Sequence, residues 1–146
     1  MAVAWTYFDT SALLKRYISE PGSAAVRRDL RRHRVLTSAI TPAEVISVFL
    51  RRRREGDLSK AKFEALLRQL QSDRVHWELV EVSSMLLERA EAMIQGFIPI
   101  GLADAIQVAS LITFQTVSGM RVPFVTADPR QRDSATLRGL DVKWAG

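Results

Sequence analysis

The sequence predicts an α/β domain built on a central parallel sheet of about four to five strands. Three observations carry that prediction. Short runs rich in aromatic and β-branched residues alternate along the chain with longer segments of helical spacing. Strands that alternate with helices favour a parallel sheet, because each return to the sheet uses a helical crossover. The chain has 146 residues, 47% of them hydrophobic, which suits one domain with a substantial core.

Taken in order, Val3 to Phe8 is strand-like, and a helix starts at Thr10 or Ser11 and runs to about Ile18, where EPGS ends it. Ser23 to His33 reads as a short, strongly basic helix, and Val35 to Ile40 as the second strand. Thr41-Pro42 supplies an N-cap and a proline at the first helical position of a helix reaching about Arg54. Leu58 to Ser72 is helical, with Phe63, Leu66, Leu67 and Leu70 on its apolar face. This helical pair is long enough to project as a hairpin, and its apolar residues serve either core packing or dimerisation. Trp77 to Val82 alternates as a strand. Helices follow at Ser84 to Gln95 and Leu102 to Val117, then a strand at Val122 to Thr126, a short helix at Arg130 to Arg138 and a last strand at Val142 to Trp144. There is no internal repeat, linker or low-complexity tract.

Composition narrows the function. With no cysteine, disulfides and thiolate metal sites are excluded, and a reducing compartment is expected. MAVAWTYFD has no basic n-region and no long apolar run, so no signal peptide is expected. The apolar stretch Leu102 to Val117 carries Asp104 and Gln107 and reads as a buried helix, not a membrane span. The net charge of +5 favours polyanionic partners, nucleic acid above all, or an acidic protein.

Four acids occupy comparable places. Asp9 follows the first strand directly, and Asp128 follows FVT in the same way. Glu44 and Asp104 each lie in the first turn of a helix. In open parallel sheets this is the rim where helix N-termini meet and ligands bind. Each acid also has an ordinary explanation. Asp9 and Asp128 sit where N-caps belong, Thr41 and Glu44 have capping-box spacing, and Asp104 complements a helix dipole. Together, converging carboxylates repel one another unless a cation intervenes, and an all-oxygen set suits Mg²⁺ or Mn²⁺ rather than zinc.

The chain resembles a PIN-domain ribonuclease, most closely the toxin of a VapBC-type toxin–antitoxin pair. YFDTSALLKRYISEPGS, TSAITPAEV, GLADAIQVAS and FVTADPRQRDSATLRGLDV match the family's four motifs in order and spacing, and carry Asp9, Glu44, Asp104 and Asp128. The match spans nearly the whole chain. It implies one PIN domain over residues 1–146, a three-layer α/β/α sandwich, and a cytoplasmic Mg²⁺- or Mn²⁺-dependent endoribonuclease with a VapB-like antitoxin and a homodimeric state. The four acids would be catalytic and metal-binding, with Thr10, Ser11 and Thr126 supporting them and Asp133 supplementing or replacing Asp128. Thr10, Ser11 and Thr126 also read as local caps. Two positions depart from the family. Gly101 stands where a basic residue is frequent, and Gln107 where histidine is frequent.

Other readings are weaker. His33 and His76 have no serine or cysteine motif beside them, and no glycine-rich phosphate loop is present. An aspartyl-nucleophile phosphatase would suit Asp9, but Ser11 stands where a second acid is needed. A non-catalytic PIN-fold module binding RNA or protein is the other alternative. Arg51 to Arg54 wrap around their helix and cannot form one face; with Arg27, Arg28, Arg31, Arg32 and Arg34 they read as RNA or partner contacts, or as solvated surface.

Overall fold

The computed structural model describes residues 3–146; the leaderless reading of the first residues rests in part on Met1 and Ala2, which lie outside them. The elements run β1 (Trp5–Phe8), α1 (Thr10–Tyr17), α2 (Ser23–Arg32), β2 (Arg34–Ser38), α3 (Thr41–Arg54) and α4 (Lys60–Arg74). They continue with β3 (Glu78–Val80), α5 (Ser84–Ile94), α6 (Leu102–Ser118), β4 (Phe124–Thr126), α7 (Pro129–Leu137) and β5 (Val142–Trp144). The sheet is parallel throughout, in the order β3-β2-β1-β4-β5. The chain winds outward from β1 to β3, then crosses back to the far side of β1. The order therefore reverses between β1 and β4, the place where open α/β sheets form their ligand crevice.

Strand alternation sorts the core into layers. Tyr7, Leu36 and Phe124 point to one face and pack with Leu86, Ala90, Val108, Leu111 and Ala135 from α5, α6 and α7. Tyr7 and Phe124 stack with ring centroids 5.3 Å apart. Phe8, Val35 and Val125 point to the other face, against Ala12, Leu13 and Val26 from α1 and α2. A third cluster joins Tyr17 of α1 to Val45 and Phe49 of α3 and Leu66 and Leu70 of α4. The α3–α4 hairpin thus closes on α1 rather than directly on the strands. Its apolar seam is consumed by core packing, with Leu66 and Leu70 buried and Phe63 and Leu67 partly so.

Most elements lie within a few residues of their expected limits. The third strand is the largest difference, shrinking from Trp77–Val82 to three residues because it pairs only with β2 and forms an edge. Gly22 is required by its surroundings. It caps α2 at φ +90°, and a Cβ there would lie 2.1 Å from the Ala145 carbonyl oxygen. Among the described residues no helix is long and apolar enough to cross a membrane, in keeping with the buried reading of α6.

Candidate active site

Asp9 leaves β1 and caps α1. Its Oδ1 accepts from the Ala12 backbone N–H at 2.9 Å and from Ser11 Oγ at 2.7 Å, and its Oδ2 accepts from Thr126 Oγ1. Ser11 Oγ also accepts from the Ala127 N–H at 2.9 Å, and Thr126 Oγ1 from the Asp128 N–H at 3.0 Å. The ends of β1 and β4 are thereby tied together around one carboxylate. Asp9 is wholly buried. Burial pushes its pKa up to about 7; the hydrogen bonds from Thr126, Ser11 and Ala12 oppose that rise and the Asp128 charge adds to it. The capping explanation for Asp9 is geometrically correct, yet a cap alone needs no buried carboxyl.

Glu44 is not part of a capping box. The N-cap of α3 is Ile40, and no side chain caps that end. Thr41 Oγ1 lies 2.8 Å from Thr37 Oγ1, while Glu44 Oε1 accepts from Thr10 Oγ1 at 2.6 Å and from Gln107 Nε2 at 2.8 Å. The expected Thr41–Glu44 exchange fails because the helix starts one residue early for it, with Thr41 already inside the first turn, and both side chains turn inward. Gln107 organises this corner. It is fully buried, its Oε1 accepts from the Tyr7 hydroxyl at 2.6 Å, and its Nε2 faces Thr10, Thr41 and Glu44 at 2.8–3.0 Å. Two amide hydrogens serve three acceptors, so one is shared. Burial raises the Tyr7 pKa well above its ordinary value, which keeps the hydroxyl a donor to Gln107.

Asp104, half-buried in the first turn of α6, accepts from Gln131 Nε2 at 2.8 Å. Its pKa is raised by burial first and by the Asp128 charge second; the Gln131 hydrogen bond opposes this, Glu44 adds to it, and Arg130 opposes it. Asp128 caps α7, its Oδ1 accepting from the Arg130 and Gln131 N–H groups at 2.8 and 3.4 Å. Asp133 faces elsewhere. It pairs with Arg132 at 3.1 Å, and more than half of its side chain is exposed.

The rim therefore gathers Asp128 with Asp9 and Asp104, and Glu44 with Asp104, while leaving Asp133 out. Among the described residues no three such groups converge tightly enough to hold a metal ion by themselves. The donor chemistry still fits Mg²⁺ or Mn²⁺. The groups are oxygen donors of like charge, and Mg²⁺ is usually held by one or two carboxylates with several waters retained. Gln131 adds an observation of its own, because it is 3% exposed and its buried Oε1 has no hydrogen-bond partner. That orphaned oxygen lies on the amide that holds Asp104.

Gln107 and Gln131 are the site residues that the motif reading did not assign. Gln107 had a signal, as a long polar side chain inside the buried run AIQVASL. Gln131 did not, because DPRQ has the spacing of an ordinary capping box.

A family model described as PIN domain matches residues 6–136. Ribonuclease VapC46 of Mycobacterium tuberculosis (strain ATCC 25618 / H37Rv) is 34% identical over 143 residues, covering 96% of this chain and 97% of that protein. With a five-stranded parallel sheet covered by helices on both faces, the chain belongs to the PIN-domain family, among proteins of the VapC type.

Proposed function

We propose that the chain is a divalent-cation-dependent endoribonuclease, a single catalytic domain over residues 1–146, acting as the toxin of a VapBC-type pair. The observation that carries this reading is the rim itself. Asp9 is completely buried at the strand end with its carboxyl pKa near 7, and Asp128, Asp104 and Glu44 press like charge on one another around it. The relative's name, a ribonuclease of the VapC type, agrees with it.

In this reading Asp9, Glu44, Asp104 and Asp128 hold Mg²⁺ or Mn²⁺. Such a cation supplies acidification of water and neutralisation of charge at a scissile phosphate. The chain's own work is to keep the four acids in place. Thr126 and Ser11 fix both oxygens of Asp9, Thr10 and Gln107 fix Glu44, and Gln131 fixes Asp104. Thr10, Ser11 and Thr126 thus act as positioning residues, as does Gln107 at the place where the family often has histidine. Asp133 is no substitute for Asp128. A VapB-like antitoxin partner, homodimerisation and cytoplasmic residence complete the reading.

The alternative of an aspartyl phosphatase loses its footing at Ser11, whose hydroxyl is committed to Asp9 and Ala127 where a second acid would be needed. The test is cleavage of total RNA by purified protein with Mg²⁺ or Mn²⁺, beside EDTA and Asp104→Asn controls. Cuts that vanish in both controls are expected. Cuts that persist in EDTA would exclude the cation mechanism, and no cuts from folded, partner-free protein would favour a binding module.

A further inference from the structure

The rim opposite the acids is also built for a ligand. At the amino ends of β1 and β2 lie two cavities of about 380 Å³ each, and His33 and Arg34 line both. The strands between the rims are four and five residues long, so the acid site lies roughly 13–17 Å away. Four arginines line the pair of cavities, Arg16, Arg31, Arg34 and Arg121, against one acid, Asp73. Asp73 is already spent. Arg16 Nε and Nη2 donate to its two oxygens at 2.6 and 3.0 Å, and the Tyr17 hydroxyl donates at 2.7 Å. Arg31 and Arg34 are exposed and have no acidic partner among the described ion pairs.

Aromatic surface accompanies this charge. The Arg34 guanidinium lies over the Trp5 ring, 3.9 Å from its centroid, and Trp77 lines the first cavity, partly exposed beside Leu30 and Val35. A flat guanidinium and an indole are the surfaces on which nucleobases stack, and free arginines beside them take phosphate. The family comparison and the acid site account for none of these residues.

We propose that this cleft binds a nucleotide, with its base stacked at Trp77 and the Arg34 plane and its phosphate on Arg31 and Arg34. The ligand is a phosphorylated nucleoside, whether free or within an RNA strand. The inference is independent of cleavage at the other rim.

The test is a tryptophan-fluorescence titration of the full chain in EDTA, with adenosine monophosphate in one arm and a short single-stranded RNA in the other. EDTA removes any cation that could carry phosphate to the acids. Saturable quenching is expected in at least one arm. Quenching by both marks a mononucleotide site, and quenching by RNA alone marks a site that needs a strand. Trp77→Phe should remove most of the signal, and Arg31→Ala with Arg34→Ala should weaken binding about ten-fold or more. Arg31→Ala alone, which removes no side-chain hydrogen bond or ion pair among the described residues, should weaken binding less while leaving the melting temperature unchanged, and so separates binding from folding. Asp104→Asn should bind as the unaltered chain does. Absence of quenching in both arms, or equal affinity in the double arginine variant, would overturn the proposal.

Discussion

At the carboxyl ends of the strands, Asp9 is wholly buried and every oxygen of its side chain accepts a hydrogen bond; at the amino ends, Arg31 and Arg34 reach solvent with no ion-pair partner among the described residues. One rim gathers like charge around a single buried carboxylate, supported by neutral donors on β1, β4, α1, α6 and α7. The other spreads the opposite charge on a wet surface floored by tryptophan. The contrast teaches that burial, more than charge, separates the proposed cation site from the proposed nucleotide site. A buried carboxylate pressed by neighbouring acids is unstable without a counter-charge. Exposed arginines are stable alone and act through ion release when phosphate arrives.

The sharpest way to break the comparison is to remove charge from one rim and read both. Asp9→Asn or Asp104→Asn should reduce RNA cleavage to the EDTA level while leaving nucleotide-induced quenching at the opposite rim intact. Loss of both together, in a protein whose circular dichroism is unchanged, would mean that the rims are one site.

The two glutamines of the acid rim come next. Gln107→Leu should lower cleavage about 10- to 100-fold, the usual cost of losing a group that orients a metal ligand. It should also destabilise by about 1–3 kcal/mol, because buried Tyr7 and Thr41 lose their partner. Gln131→Leu should lower cleavage comparably yet change stability by less than about 1 kcal/mol, since it removes an orphaned acceptor along with one hydrogen bond. Denaturant titration beside the RNA assay separates the two. Equal stability losses would show that Gln131 Oε1 has a partner after all.

A pH profile sharpens the comparison further. The Asp9 carboxyl binds its proton more tightly in the folded chain, at about 7, than at its ordinary 3.8. Without a cation its protonation supports folding fully below about pH 4, and that support is lost as pH rises through 7. The melting temperature in EDTA should therefore fall between pH 5 and 8, by an amount that Asp9→Asn diminishes and Mg²⁺ offsets at the upper end. Away from both rims, Gly22→Ala should destabilise by more than about 1 kcal/mol without altering the metal dependence of cleavage, because only the left-handed backbone and the approach of Ala145 are at stake.

Much of the acid rim was legible in the sequence because its residues sit at topological landmarks. Asp9 and Asp128 end strands, Glu44 and Asp104 open helices, and the alternation of elements places all four at one edge. The supporting contacts were less legible because they join residues far apart in the chain. Tyr7 meets Gln107 across 100 positions, and Thr126 meets Asp9 across 117. Local patterns also misled. TPAE has capping-box spacing, yet Glu44 is drawn inward by Thr10 and Gln107, two donors from other elements. The short edge strand β3 was overextended because Trp77 and Val82 look strand-like, although they pack on the core clusters without joining the ladder.

Calorimetric titration of the metal-free chain with Mn²⁺, at pH 6 and pH 8, tests the central claim most directly. A cation held by Asp9, Glu44, Asp104 and Asp128 must displace the proton that burial keeps on Asp9. The account predicts saturable binding that is tighter at pH 8, releases protons at pH 6 and disappears in Asp104→Asn. Binding of equal strength at both pH values, or binding that survives in Asp104→Asn, would contradict it.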